Sequence, residues 1–242
     1  MDRCVKSDYE RWHARLAVND QAREPWHVLL RQLLVPARDL AGRRVLELAC
    51  GRGGLALSLA PALSRDGLLV AADFSGTAVA KGAAASGQGG AGAESLRFVV
   101  ADAQALPWSR SAFDTVISCE TLEHVAHPQR VLRGFWRVLR PGGRLFLTLP
   151  NYLGPIGVHR IYRRLLGRPD GEAGQPYSAM TLLPQTLGWL KRAGFCVCRH
   201  VGVGHYLPWP GRPPVRLGAL DSGPALLHWF ALHAAVEAVA LP

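Results

Sequence analysis

Val45-Leu46-Glu47-Leu48-Ala49-Cys50-Gly51-Arg52-Gly53-Gly54 is the stretch that decides the fold. A short run of strand-type apolar residues enters a glycine-rich turn, and residues 55–63 continue at helical spacing, giving strand, turn and helix. Outward from it the same alternation repeats. A second strand at 68–72 ends on Asp73, a helix covers 76–81, and the alanine- and glycine-rich run 82–93 reads as a loop. Further strands are expected at 96–101, 115–119 and 144–149, with a helix between Pro128 and Pro141. Before the decisive stretch, residues 5–35 read as two helices, the second opened by Pro25, and Pro36 ends that layer. After Pro150 come a basic insert, a helix at 181–193 and a strand at 195–201. The apolar segment 226–241 is read as a terminal strand behind a helical turn. Strands alternating with helices specify an α/β fold with a mostly parallel sheet wrapped on both faces, and such sheets bind ligands beyond the carboxyl ends of their strands.

The chain has 242 residues, 49% hydrophobic and 19% charged, which supplies one sizeable core and too little for two. One domain is expected, in four segments: a helical cap at 1–43, a core at 44–151, a basic lid insert at 152–180, and a C-terminal helix and strands at 181–242. No apolar window is long enough to span a bilayer, and no apolar leader follows Met1-Asp2-Arg3-Cys4-Val5-Lys6, so a cytoplasmic protein is expected. The cysteines at 4, 50, 119, 196 and 198 form neither a disulfide framework nor a zinc knuckle. Lysine occurs only at 6, 81 and 191, so 25 of the 28 basic residues behind the net charge of +10 are arginine. That charge points to an acidic partner only where it clusters, as in His159-Arg160-Ile161-Tyr162-Arg163-Arg164-Leu165-Leu166-Gly167-Arg168.

Gly51-x-Gly53-x-x-Ala56 fits the loose G-x-G-x-x-A turn, and Asp73 lies where an acid can accept both hydroxyls of a ribose. Any adenosine-containing cofactor would explain that pair. Glu47 precedes the turn, Asp102-Ala103-Gln104-Ala105-Leu106-Pro107 follows the third strand, Phe113-Asp114-Thr115-Val116-Ile117 opens the fourth, and Leu139-Arg140-Pro141-Gly142-Gly143-Arg144-Leu145 leads into the fifth. Together these resemble the class I S-adenosylmethionine-dependent methyltransferases, whose fold is Rossmann-like with a seven-stranded sheet. The resemblance spans residues 45–151 and departs from the family pattern at Ala49, which occupies the first glycine place, where a small residue should be tolerated.

The resemblance implies S-adenosylmethionine as cofactor. Glu47 would orient its amino group or the loop, Ala49, Gly51 and Gly53 would let the methionyl part lie on the backbone, and Asp73 would take the ribose diol. Phe74 would cover the adenine, Asp102 and Ala103 would bond its edge, and Cys119 would line the pocket near the sulfonium or serve as a small core residue.

Glu120-Thr121-Leu122-Glu123-His124 follows the fourth strand, where an imidazole can serve as a base or orient a hydroxyl, or cap and pack the turn before Pro128. This E-x-x-E-H resembles the ubiquinone-pathway O-methyltransferases and the small-RNA 2′-O-methyltransferases. Gly204-His205-Tyr206-x-Pro208 and Leu187-Gly188-Trp189-Leu190 extend the likeness to the former. His124 and Glu123 are the catalytic candidates, acting on a small, apolar or phenolic acceptor, most simply at oxygen. N- or C-methylation and a non-catalytic cofactor-binding subunit stay open. Glu120, Glu123 and His124 could ligate a divalent ion, but the histidine that the resembling enzymes carry downstream has no counterpart in Gly174-Gln175-Pro176-Tyr177-Ser178, and a metal-independent enzyme is expected. The insert at 157–171 reads either as an interfacial helix for anionic membrane or as a solvated lid. No signature of sequence-specific nucleic-acid binding accompanies the arginines.

Overall fold

The computed structural model describes residues 3–18, 24–167, 179–209 and 212–242. Two helices lead the chain, α1 (Arg3–Arg15) and α2 (Pro25–Leu33). Pro36 does not close this layer. It occupies the first turn of a short third helix, α3 (Pro36–Asp39), where its missing N–H would have no helical partner anyway.

Then β1 (Arg44–Leu48), α4 (Gly54–Leu59), β2 (Leu68–Asp73), α5 (Gly76–Ser86), β3 (Leu96–Val100) and β4 (Phe113–Cys119) alternate as expected. The helix after Asp73 runs on to Ser86, through residues expected to form a loop. Ser75 caps it by accepting the Ala78 N–H, and its alanines have the highest helix propensity. Gly82 within it is a contact point, because a Cβ there would lie 2.4 Å from the Phe98 ring of β3.

Next come α6 (Pro128–Val138), β5 (Leu139–Pro150), α7 (Pro155–Leu165), α8 (Leu183–Arg192) and β6 (Phe195–Val203). β5 begins ahead of its expected start, with Leu139 paired to Phe113 before the register shifts. A hairpin of β7 (Tyr206–Trp209) and β8 (Arg212–Arg216), which was not expected, precedes the terminal strand β9 (His233–Ala240). Its prolines, at 208, 213 and 214, hide strand character in the sequence.

The main sheet has seven strands in the order β3-β2-β1-β4-β5-β9-β6. The pairs from β3 to β5 are parallel, and β9 runs antiparallel between β5 and β6. Successive residues of β1 feed opposite faces, as a period of two requires. Leu46 and Leu48 join Val131, Leu132 and Phe135 of α6 on one side, whereas Val45 joins Leu29, Leu30 and Leu33 of α2 and Leu55 of α4 on the other. Two buried acids, Asp39 and Glu237, are matched by Arg38, Arg144 and Arg199, with Glu237 bonded to all three. Arg168 and residues 174–178 lie outside the described residues. No helix among those described is long and apolar enough to cross a membrane.

Candidate functional site

One cavity of about 270 Å³ opens at the carboxyl ends of β1, β2 and β4, and α1 and α2 also contribute to its lining. Strand order reverses between β1 and β4, which is where such sheets bind ligands. The turn after β1 is tight, with Ala49 at φ 58° and Gly51 at φ 52°. Ala49 therefore needs more than small size, since it holds a left-handed conformation that favours glycine.

Gly51 is tied across to the second strand, its N–H donating to Asp73 Oδ2 at 2.9 Å, while Asp73 Oδ1 accepts the Ser75 N–H at 2.9 Å. Burial raises the Asp73 carboxyl above its usual range, and these N–H groups oppose the rise. Gly53 does not line the cavity. It sits left-handed at the start of α4, and a Cβ there would lie 2.4 Å from the Phe98 ring, so it serves close packing of α4 against α5 and β3.

Glu47, Ala49, Gly51, Asp73, Phe74, Asp102, Ala103 and Cys119 all face the cavity. Glu47 is buried and its Oε2 has no hydrogen-bond partner. Burial, and then the charge of Asp73, push its carboxyl up to about 8. A buried acid with an unsatisfied oxygen beside a second acid is a fitting seat for the cationic amino group of S-adenosylmethionine. Asp102 turns one oxygen to the Gln104 N–H at 2.8 Å. Burial, then Glu47, drive the Cys119 thiol well above its ordinary value and keep it neutral.

The helix α1 is fastened over this site by reciprocal capping with α5. Glu10 accepts the Ser75 hydroxyl and the Gly76 and Thr77 N–H groups at 2.7, 2.8 and 2.9 Å. Lys81 donates to the carbonyls of His13, Ala14 and Leu16 at 3.0, 2.8 and 2.7 Å. Arg52, in the glycine turn, donates to the Ala17 carbonyl and meets His13 Nδ1 at 3.0 Å. Burial and then Arg52 lower His13 to about 4, so the ring is neutral and can accept at Nδ1. Tyr9, from the same helix, packs edge-on against Phe74 with ring centroids 5.1 Å apart.

After β4, Glu120 and His124 line the cavity, whereas Glu123 is buried behind it. His124 Nε2 lies 3.5 Å from Glu123 Oε1 and its ring is edge-on to Tyr9. Among the described residues no group of three or more His, Cys, Asp or Glu side chains is placed to hold a metal ion. His205 is buried away from the cavity, its nitrogens 2.8 Å from Asp221 Oδ1 and 2.9 Å from the Leu227 carbonyl, so the Gly204-His205-Tyr206 motif ties the hairpin to the turn before β9. Tyr9, Trp12, His13, Trp26 and His27, on the two leading helices, also line the cavity and belong to no motif in the sequence. The one signal was the aromatic and histidine content of the first two helices.

Residues 46–147 match the methyltransferase domain family. The chain is 36% identical over 211 residues to a demethylmenaquinone methyltransferase of Clavibacter sepedonicus, covering 81% of each chain. It is 31% identical over 203 residues to a ubiquinone biosynthesis O-methyltransferase of Xanthomonas oryzae pv. oryzae, covering 80% of each. In architecture it resembles the crystal structure of a SAM-dependent methyltransferase from Aquifex aeolicus, with a TM-score of 0.63, 16% identity and 98% of both chains covered.

Proposed function

The chain belongs to the S-adenosylmethionine-dependent methyltransferases, and from that premise we propose that it methylates an oxygen of a small aromatic acceptor, working as one domain. What carries this reading is the continuity of one cavity. Its acidic, glycine-turned end (Glu47, Gly51, Asp73) runs into a chamber walled by Tyr9, Trp26, His27 and His124, suited to a flat, mostly apolar ring with a few polar groups. The quinone-pathway names of the relatives fit such a ring.

When bound, S-adenosylmethionine supplies a methyl group on a positively charged sulfur. Glu47 and the turn at Ala49 and Gly51 would hold its methionyl part, Asp73 its ribose, and Phe74, Asp102 and Ala103 its adenine, with Cys119 in the wall nearby. Gly53 supports this seat from behind through its packing on Phe98. On the acceptor side, His124, backed by the buried Glu123, orients the hydroxyl by a hydrogen bond. Alignment is the main contribution required, because methyl transfer is an in-line displacement. The reaction is proposed to need no metal, and activity that vanishes on chelation and returns with one divalent ion would refute that. We also assign α7 as a peripheral contact with anionic membrane by a protein otherwise at home in the cytoplasm, and we assign no sequence-specific nucleic-acid partner.

The test is a screen of hydroxyaromatic acceptors with labelled cofactor, followed by mapping of the methylated atom. O-methylated products that disappear with His124→Ala are expected. Products methylated only on carbon or nitrogen would overturn the choice of oxygen.

A further inference from the structure

At the chamber lies a second set of polar groups, apart from those proposed to hold the cofactor. Glu120 follows β4 at φ 45°, a left-handed backbone that glutamate rarely adopts. Its N–H is held by the carbonyl and the Oγ1 of Thr148, both at 3.1 Å, so the residue has a fixed direction. Its Oε1 is enclosed and has no hydrogen-bond partner. Its Oε2 is 3.6 Å from His233 Nδ1, beyond hydrogen-bond length, and that nitrogen is likewise enclosed without a partner. His27 Nδ1, on α2, is a third such atom. Burial and then Arg31 lower His27 to about 4, which leaves it neutral. Trp26 joins the group, its ring centroid 5.8 Å from that of His27 and 5.3 Å from that of His233.

Enclosed polar atoms are costly unless something bonds them, and here three come from three separate elements around one indole. Glu120, Trp26 and His27 line the cavity itself. We propose that Glu120 receives the acceptor's hydroxyl proton, and that the acceptor is a hydroxyaromatic ring lying against Trp26 with its oxygen at that carboxylate. His233 is then a positioning residue that steadies Glu120, and His27 offers a hydrogen bond to a ring substituent. Glu120 takes the proton as the O–H bond breaks, the same oxygen bonds the methyl carbon, and the carbon–sulfur bond breaks. The positive charge lost at sulfur is matched by the negative charge lost at the carboxylate, and the proton leaves to water with product. The inference rests on O-methylation of an aromatic acceptor and adds the group that receives its proton.

The probes are 2-naphthol and 2-methoxynaphthalene, titrated by fluorescence in the presence of S-adenosylhomocysteine. In the wild type the hydroxyl compound should bind about tenfold tighter than its ether or better, the worth of a hydrogen bond to a carboxylate. Glu120→Gln should erase most of that preference while S-adenosylhomocysteine binds as before. Excited naphthol is a strong acid, so wild-type complexes should emit as naphtholate and Glu120→Gln complexes as neutral naphthol. Absence of binding by the wild type, equal binding of the two probes, a preference that survives Glu120→Gln, or neutral emission from the wild type would each overturn the proposal. Should Glu120→Gln fail to fold, the wild-type emission decides alone. A naphthol preference alongside only N- or C-methylated products would instead sink O-methylation and leave the Glu120 contact standing.

Discussion

Asp73 closes the turn that precedes it in the chain, because its Oδ2 accepts the Gly51 N–H at 2.9 Å across 22 residues. The same carboxylate is therefore part of the seat's construction as well as the group proposed to meet the ribose. Asp73→Ala should weaken S-adenosylhomocysteine binding by about tenfold or more, the loss of one charge-assisted bond, and should also lower the melting temperature because Gly51 loses its acceptor. Asp73→Asn keeps an acceptor for Gly51 and should melt closer to the wild type while still binding weakly. Calorimetry and thermal melts separate the two roles, and unchanged affinity in a folded Asp73→Ala protein would remove the ribose assignment.

Glu47, as the proposed seat of the amino group, is expected to set a pH dependence on cofactor affinity. Its carboxyl, raised to about 8 by burial and by Asp73, is protonated in the free protein at neutral pH. A cationic amino group at that seat favours the ionised form, so binding releases a proton. Affinity for S-adenosylhomocysteine should accordingly rise from about pH 6 towards about pH 8, where the ligand amine is still charged. Calorimetry in buffers of different ionisation heat should detect the released proton. Glu47→Gln should bind more weakly with a flat profile, and a flat profile in the wild type would remove the amino-group assignment.

Glu10 fastens α1 by taking three hydrogen bonds at the start of α5. Burial, the largest single influence, pushes its carboxyl up, but the bonds from Thr77, Ser75 and Gly76 win and bring it from 4.5 down to about 2. A depressed carboxyl stabilises the fold above its unfolded value and loses that contribution as pH falls towards the folded one. The latch should thus weaken between about pH 4.5 and about pH 2. Glu10→Gln should behave at neutral pH as the wild type does in acid, with faster amide exchange in α1 and weaker cofactor binding. Exchange in α1 that ignores both pH and the substitution would refute the latch.

Much of this site can be read from sequence because it lies at strand ends. Asp73 and Asp102 terminate or follow a short apolar run and Glu47 lies one residue before the end of β1, and period and punctuation locate such ends without tertiary knowledge. The rest depends on packing. Nothing local tells that α2 lays Trp26 and His27 over the sheet, or that β9, paired with β5, brings His233 within 3.6 Å of Glu120. The first placement follows from burial of Leu29, Leu30 and Leu33, and the second from the pairing of β9 between β5 and β6. Likewise the helix past Lys81 depends on Phe98 filling the space at Gly53 and Gly82, a contact between residues far apart in the chain.

Ala49 offers a stability test of the turn. At φ 58° alanine bears about 1–2 kcal/mol of left-handed strain, which glycine removes, while glycine's freer unfolded chain takes back about 0.4–1 kcal/mol. Ala49→Gly should therefore stabilise the protein by up to about 1.6 kcal/mol, and Ala49→Val, with a branched Cβ in the same conformation, should destabilise it by about 1–3 kcal/mol. Denaturant melts decide this, and a destabilised glycine variant would show that the turn is unstrained.

The exposed face of α7 leads to the last expectation. Val158, Ile161, Tyr162 and Leu165 all face solvent, with Leu165 at 81% exposure, and Leu207 and Trp209 of the adjacent β7 are exposed as well. Arg160 is drawn inward, bonded to the Tyr152 hydroxyl and lying over its ring at 4.9 Å, so the apolar groups carry more of this surface than the sequence pattern suggests. Burying one such side chain in an interface contributes about 1.5–3 kcal/mol, against about 1 kcal/mol for each basic residue near an anionic surface. In flotation, vesicles containing phosphatidylglycerol should retain the protein and pure phosphatidylcholine vesicles should retain little, with salt reducing the difference. Leu165→Gln combined with Trp209→Gln should cut binding by about tenfold or more, and Arg160→Gln should cut it less. Equal partitioning onto both vesicle types would discard the electrostatic part, and full retention of the double variant would discard the apolar part.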